Sequence, residues 1–177
     1  TNAGSTTGAS IGIDATKQDV TTTILDNNDD PQDPTDPDTA EWAIVQDQTV
    51  NEGDAASYTL SLSGTLQAGE TAKIDLSVAY PAGTGAASAG DHEALATAIT
   101  DELATNPRTD LAFDGTTLTY TGDGSPMANL SFDLNTIADT TVEGSEDFDI
   151  DLTNAGSTTG ASIGIDATKQ DVTTTIL

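Results

Sequence analysis

Three short stretches of the sequence concentrate carboxylates between apolar runs. They are "NEGD" at Asn51–Asp54, "ADTTVEGSED" at Ala138–Asp147 and "DNNDD" at Asp26–Asp30. Calcium takes roughly six to eight oxygen ligands and favours short acidic side chains and carbonyls that converge at loops. A solvated acidic turn is the alternative for any one stretch. Together the three favour a divalent cation, because like charges at this density destabilise a fold unless a cation neutralises them.

The sequence offers few groups for nucleophilic or acid–base catalysis. His92 is the single histidine, cysteine is absent, and no serine lies in a G-x-S-x-G turn. Carboxylates are so abundant that any pair of them is non-specific. We therefore expect no enzymatic activity, and we expect His92 to be a solvated side chain near the start of a helix.

The charge balance restricts the partners. The chain has 30 acidic and 4 basic side chains and a formal net charge of −26. Such a charge repels phosphate backbones and anionic lipid surfaces, so nucleic acid and membrane insertion are not expected. Without cysteine, an extracellular protein of this kind would depend on core packing and bound metal rather than on disulfides.

The elements that must position these loops show the period-two pattern of half-buried strands. Apolar residues alternate with polar ones in "SYTLSLSG", "AKIDLSVAYP", "TLTYTG", "NLSFDLNTI", "DFDIDLTN" and the closing "IGI" and "DVTTTI". Gly, Asn and Asp clusters separate the runs, as in the turns of an antiparallel sandwich. The predicted fold class is mainly β, an Ig-like antiparallel β-sandwich.

One segment interrupts this alternation. "DHEALATAITDELATNP" has Leu95, Ala98, Ile99 and Leu103 at helical spacing. Asp91 can cap the start of a helix, and the Asn-Pro pair at 106–107 can stop it. We predict one inserted α-helix over about 91–105, packed on or beside the sandwich.

The chain also repeats itself. Residues Thr1–Leu25 recur without a change as Thr153–Leu177, an offset of 152 residues. Such self-similarity is typical of tandem arrays, and a duplication introduced by cloning is the alternative. The predicted organisation is residues 1–25 as the C-terminal strands of a preceding repeat, 26–40 as an acidic linker and 41–177 as one sandwich repeat.

The predicted linker has the composition of an extended spacer. "DNNDDPQDPTDPD" holds six aspartates and three prolines and no cation, and each proline follows an aspartate. Proline every third residue matches the turn of a polyproline II helix. The segment is therefore predicted to be a stiff, self-repelling rod. Trp42 follows it directly and is expected to pack at the base of the domain.

The motifs "TVNEGDAASYTLSLSG", "AGDHEA", "IADTTVEGSEDFDIDLTNA" and "DVTTTILDNND", in this order, resemble a Calx-beta domain. This family is a calcium-binding β-sandwich that occurs as repeats in giant RTX-type bacterial surface adhesins. The resemblance covers the two ends of the unit and departs from the family in residues 81–128. It implies a set of candidate Ca²⁺ ligands: Glu52, Asp91, Asp139, Glu143, Glu146 and Asp147, with Asp26, Asn28 and Asp29 from the end of the preceding unit.

The repeat and the resemblance together predict a structural function. The chain is expected to be an extender repeat of a secreted adhesin on the bacterial cell surface, stiffened by calcium at its loops and junctions, that projects a distal ligand-binding domain in adhesion and biofilm formation. The alternative is a repeat that itself binds a glycan or surface by avidity. The expected partners are neighbouring repeats, and residues 1–25 are expected to complete a sandwich with another copy of the chain.

Overall fold

The computed structural model describes residues 6–8, 22, 39–46, 48–82, 85–140 and 144–177. The chain divides into two units, Thr1–Pro37 and Asp38–Leu177, and the described elements belong to the second. Apart from residues 6–8 and 22, the segment 1–25 with its predicted strands lies outside the described residues, and so does the predicted linker rod.

Ten strands and one helix make up the described fold. In chain order they are β1 Ala40–Val45, β2 Gln48–Val50, β3 Ala55–Leu62, β4 Thr71–Ala79, α1 Leu95–Thr105, β5 Leu111–Phe113, β6 Thr117–Thr121, β7 Leu130–Asn135, β8 Glu146–Gly156, β9 Ile163–Ile165 and β10 Asp171–Ile176.

The strands form two sheets that pack as a sandwich. The four-stranded sheet has the order β7-β3-β1-β9, and the six-stranded sheet has the order β2-β10-β8-β4-β6-β5. The predicted β-sandwich with one helix is thereby confirmed. Most pairs are antiparallel, but β1 pairs with β9 and β2 with β10 in parallel. Both exceptions arise because β1 and β2 are one run of chain that passes from one sheet to the other at Gln46, whose φ is 96°.

The core consists of the residues that alternate along the strands. Trp42, Tyr58, Phe132 and Phe148 are its largest fully buried side chains. Alternation places one face of each strand inward, so β3 and β7 each bury every second residue. Ile163 and Ile165 are half-buried, because β9 lies at a sheet edge. The period-two pattern therefore identified the inward faces of β3 and β7 correctly, whereas Tyr80, which continues the alternation of β4, is exposed.

The helix begins four residues later than the sequence predicts. Its N-cap position is Ala94, which makes no side-chain cap hydrogen bond. The predicted capping role of Asp91 is wrong, because its carboxylate accepts the Ser88 N–H at 2.6 Å and closes a turn of its own. α1 buries Leu95, Ala98 and Ile99. Within the described ranges, the chain forms no helix that is long and apolar enough to cross a membrane.

The two ends of the described sandwich lie at opposite poles. Ala40 donates its N–H to the Ser162 carbonyl at the start of β1. Leu177 instead donates to the carbonyl of Val50, at the far end of β2. The run from Ala40 to Val50 spans up to about 33 Å at about 3.3 Å per residue. The chain therefore passes along the sandwich, starting at one pole and leaving at the other.

Candidate metal centre

The pole at which β10 ends, here named the exit pole, consists of the loop Asn51–Asp54, the turn Ser88–Asp91, the segment Thr136–Asp139, the start of β8 and Leu177. Thr136 connects two of these segments. Its N–H donates to the Asp54 carbonyl at 3.0 Å, and its hydroxyl donates to the carbonyls of Asn51 and Asp54 at 3.1 and 2.8 Å. The next residue, Ile137, donates to the Asp91 carbonyl at 2.8 Å.

The loop Asn51–Asp54 fits closely against its neighbour. The Asn51 side-chain amide donates to the Asp54 carboxylate at 2.9 Å. Gly53 has a φ of 81°, and a Cβ at this position would lie 3.2 Å from that of Ala138. Glycine is required here because both the left-handed backbone and the close approach disfavour a side chain. The loop Asn51–Asp54 is thus adjacent in space to Ala138, the first residue of the second carboxylate-rich stretch.

The start of β8 adds two more carboxylates to the exit pole. Asp147 donates its N–H to the Gly85 carbonyl at 2.8 Å, and its own carbonyl accepts from Ala87 at 3.0 Å. Its carboxylate accepts the Thr175 hydroxyl at 2.7 Å. Glu146 lies opposite Ile176 in the ladder, next to the last residue of the chain.

All the described candidate ligands lie at the exit pole: Glu52, Asp91, Asp139, Glu146 and Asp147. Their donors are oxygens, as a hard cation such as Ca²⁺ prefers. Within the described ranges, however, no three acidic or histidine side chains converge closely enough to hold a metal. The fold therefore brings the backbone segments together without forming a cage. The other candidates, Asp26, Asn28, Asp29 and Glu143, lie outside the described residues.

His92 is not the solvated side chain that the sequence predicts. Only 5% of the residue is exposed, and its ring lies 4.6 Å from that of Phe148. Nδ1 is 2.6 Å from the Glu93 carbonyl and must carry the proton, so Nε2 accepts the Tyr80 hydroxyl at 2.8 Å. Because His92 bridges to Thr136 as an isolated ladder pair, the segment before α1 is held in extended form. His92 is thus a hydrogen-bonded structural residue.

The outer face of the six-stranded sheet carries an acidic ladder that sequence reasoning missed. Asp147, Asp149 and Asp151 alternate along β8, and the hydroxyl of Thr173 donates to Asp149 at 2.7 Å. Asp151 instead lies opposite Asp171. Burial, followed by the charges of Asp149 and Asp171, raises the pKa of Asp151. The "DFDID" alternation was the available signal, but the cross-strand neighbour depends on the register.

A groove between α1 and β7 is a second feature that the sequence did not indicate. It has a volume of about 180 Å³ and four acidic lining residues, Glu93, Asp101, Glu102 and Asp133. Glu93 accepts the backbone and side-chain N–H groups of Asn135 at 2.7 and 2.6 Å. Asp133 accepts the Ser57 hydroxyl at 2.6 Å. These carboxylates come from distant parts of the chain, so their proximity follows from the fold alone.

Comparison with protein-family models gives no match, and comparison with curated proteins gives none either. The resemblance to Calx-beta domains therefore stays a prediction. The fold itself is a ten-stranded β-sandwich with acidic loops gathered at one pole.

Proposed function

We propose that the chain is part of a tandem array that serves as an extender of a secreted, surface-anchored bacterial adhesin. In this function each repeat adds length, and the array holds a distal binding domain away from the cell. The function belongs to the structural class, so no repeat needs a catalytic or ligand-recognition site of its own.

The observation that carries the proposal is the position of the two ends of the described sandwich. Ala40 and Leu177 lie at opposite poles of the sandwich, separated by the length of β1 and β2. Units that begin and end at opposite poles add their full length when they are joined head to tail. The identity of residues 1–25 and 153–177 supports such joining, since it gives the repeat period of the array.

We further propose that calcium stiffens the junction at the exit pole. Leu177 corresponds to Leu25, which "DNNDD" follows directly, so in an array the same acidic segment would follow Leu177. The Leu177 carbonyl accepts the Glu52 N–H at 3.3 Å, so a segment that followed Leu177 would start beside the loop Asn51–Asp54. Asp26, Asn28 and Asp29, or their equivalents in the next linker, would then add oxygen ligands that one described sandwich lacks.

The distribution of aromatic side chains favours an extender over a glycan-binding repeat. The chain has one tryptophan, three tyrosines and three phenylalanines, all within the described residues. Of these seven, only Tyr80 is exposed, at 38%. Trp42 is fully buried, so it offers no stacking surface for a sugar ring.

Small-angle scattering and thermal melts of a four-repeat array, each with calcium and with chelator, test the proposal. We expect a larger maximum dimension and a higher Tm with calcium. The exit-pole variant Glu52→Gln/Glu146→Gln should lose both responses, whereas the matched variant Asp101→Asn/Glu102→Gln, which removes the same charge from α1, should keep them. Equal dimensions and equal melting temperatures in the two buffers would reject the calcium part. A compact array in both buffers would reject the extender function itself.

A further inference from the structure

We propose that Thr1–Leu25 is an alternative occupant of the position that β9 and β10 fill in the described sandwich. The chain would then hold two interchangeable sets of closing strands, and either set could complete the same fold. This inference does not depend on calcium or on adhesion.

The position concerned lies inside the sandwich rather than at its surface. β10 is an interior strand of the six-stranded sheet, between β2 and β8. It buries Val172, Thr174 and Ile176, and the Thr174 hydroxyl lies 2.5 Å from that of Tyr58. The turn before β10 also contacts β1, since the backbone carbonyl of Lys169 accepts the Ile44 N–H at 2.9 Å. A sandwich without these strands would expose its core.

The N-terminal segment offers the same side chains in the same order. Val20, Thr22 and Ile24 correspond to Val172, Thr174 and Ile176, and the turn residues agree as well. Every contact that the sandwich makes with residues 153–177 is therefore available to residues 1–25. In the described structure Thr22 is exposed, whereas Thr174 is fully buried.

The chain between the two sets is long enough for the exchange to take place within one molecule. In the exchanged form, the equivalent of Leu177 would be Leu25, beside Val50, and β1 would still start at Ala40 at the other pole. The chain from Leu25 would have to reach back from Val50 to Ala40, a distance of up to about 33 Å. Residues 26–39 supply fourteen residues, which reach about 43 Å at about 3.1 Å per residue in polyproline II form.

Two features set the balance between the sets. The chain contains no cysteine, so no disulfide fixes residues 153–177 in place. β8 runs without interruption from Glu146 to Gly156 across the start of the repeated segment, and exchange would break it after Leu152. The two sets are otherwise identical in sequence. Residues 153–177 therefore occupy the position in most molecules of the intact chain, because only they leave β8 unbroken.

Proline substitution in the full chain tests the inference. Thr174→Pro removes an N–H from an interior strand, which a sheet does not tolerate. We expect this variant to remain folded, with a cooperative melt at a lower Tm, because residues 1–25 replace the damaged strand. The matched variant Thr22→Pro should melt like the parent chain, and Thr22→Pro/Thr174→Pro should be unfolded. If Thr174→Pro alone is as unfolded as the double variant, the inference is overturned.

A cross-link identifies which set occupies the position. Asp149 and Thr173 are directly opposite in the β8–β10 ladder, and Thr21 is the N-terminal counterpart of Thr173. In the Thr174→Pro background, Asp149→Cys with Thr21→Cys should form a disulfide within the monomer on mild oxidation. In the parent background the same pair should form little, whereas Asp149→Cys with Thr173→Cys should form readily. Absence of the Thr21 cross-link in the proline variant would disprove the exchange, and a cross-link only between chains would disprove closure within one molecule.

Discussion

The hydroxyl of Tyr58 lies 2.5 Å from the hydroxyl of Thr174, and the two residues join the two sheets at the centre of the core. Neither residue is exposed. Tyr58 belongs to the four-stranded sheet and Thr174 to the six-stranded one, so the hydrogen bond crosses the interior of the sandwich. Burial raises the pKa of Tyr58 to about 12, against a smaller opposing effect of the bond to Thr174.

Replacement of Thr174 by valine should therefore destabilise the sandwich. Thr174→Val keeps the shape but leaves the Tyr58 hydroxyl buried without its partner, at a cost of about 1–3 kcal/mol. The repeat supplies a matched control, because Thr22→Val makes the same change in the same local sequence at an exposed position and should cost close to nothing. Urea unfolding of both variants measures the difference. Because exchange of the N-terminal set would restore the hydroxyl, Thr22→Val/Thr174→Val is measured as well, and only a double variant as stable as the parent chain would show that the hydroxyl pair contributes nothing.

The same pair predicts how the sandwich responds to alkali. Since the pKa of Tyr58 is raised in the folded state, the folded chain holds a proton that the unfolded chain releases above about pH 10. The free energy of unfolding should therefore fall as the pH rises from about 10 towards 12. Tyr58→Phe should lack this part of the alkaline loss. An identical pH dependence in the variant, measured by denaturant unfolding, would contradict the assignment.

Gly122 is a second position where packing permits one residue type. A Cβ at Gly122 would lie 2.6 Å from the Cβ of Leu66 and 2.7 Å from the carbonyl oxygen of Gln67. Leu66 is buried, and the backbone of Gly122 accepts from Gly69 at 2.9 Å, so neither side can retreat without losing contacts. Gly122→Ala should thus cost about 1–3 kcal/mol or more, as overpacking does.

The control for this prediction is Gly144→Ala. A Cβ at Gly144 would meet nothing within 4 Å, and its φ is not in the left-handed region. The two variants share one chemical change and differ in the space available. Gly122→Ala should have a clearly lower midpoint of chemical denaturation than Gly144→Ala. Similar midpoints would mean that the loop of Leu66 shifts to accommodate the Cβ with little loss of stability.

Much of the fold was predictable because the strand pattern is local. Alternation in "SYTLSLSG" and "NLSFDLNTI" identified the inward faces of β3 and β7 before any partner was known. The start of α1 was not predictable, since Asp91 has the residue type of an N-cap but uses its carboxylate for the Ser88 N–H. The burial of His92 likewise depends on Phe148, which is distant in the sequence.

The candidate site was predictable only in part. The sequence placed carboxylates on loops, and the structure gathers the loops of Glu52, Asp91 and Asp139 at one pole. Whether side chains converge depends on turn geometry and on residues beyond the described ones, which composition does not determine. The acidic groove beside α1 was missed for the same reason, because Glu102 and Asp133 come to line one groove only through the packing of the helix on the strand.

The ion pair of Arg108 and Asp110 is expected to contribute more than an exposed pair. The Arg108 Nε and a terminal nitrogen donate to the two Asp110 oxygens at 2.8 and 2.5 Å, and the other terminal nitrogen donates to the Ala128 carbonyl at 3.2 Å. The hydrogen bond from Arg108 is the main cause that lowers the pKa of Asp110. Arg108→Lys keeps the charge but loses the two-pronged geometry and should cost about 1 kcal/mol.

Lys169 supplies the comparison for this pair. Its amine lies 3.3 Å from Asp166, and its side chain is 49% exposed. Lys169→Ala should change the stability by less than about 0.5 kcal/mol, as solvent-exposed pairs do. Thermal melts at low and high salt distinguish the cases. A loss for Lys169→Ala as large as that for Arg108→Lys would count against the geometric argument.

The acidic ladder on the six-stranded sheet should lower the stability of the folded chain at neutral pH. Asp151 lies opposite Asp171 and two residues from Asp149, and its pKa is raised by burial and by these two charges. The charged form of Asp151 therefore lowers the free energy of unfolding. This loss is complete above the raised pKa and disappears as the pH falls towards 3.8. Asp151→Asn should stabilise the chain at pH 7 by about 0.2–1 kcal/mol, the range of one cross-strand pair.

Asp75 lies on the same face of the six-stranded sheet, and its replacement should change the stability in the opposite direction. The Thr117 hydroxyl and the Asn154 amide donate to its carboxylate at 2.5 and 2.9 Å, and these bonds lower its pKa. Its contribution is stabilising above about pH 3.8 and is lost as the pH falls through the lowered value, so Asp75→Asn should destabilise at pH 7. Urea unfolding at several pH values should show the Asp151→Asn difference shrinking as the pH falls towards 3.8 and the Asp75→Asn difference shrinking only below pH 3.8. If Asp151→Asn is less stable than the parent chain at pH 7, the carboxylate of Asp151 makes a stabilising interaction that outweighs its repulsion by Asp149 and Asp171.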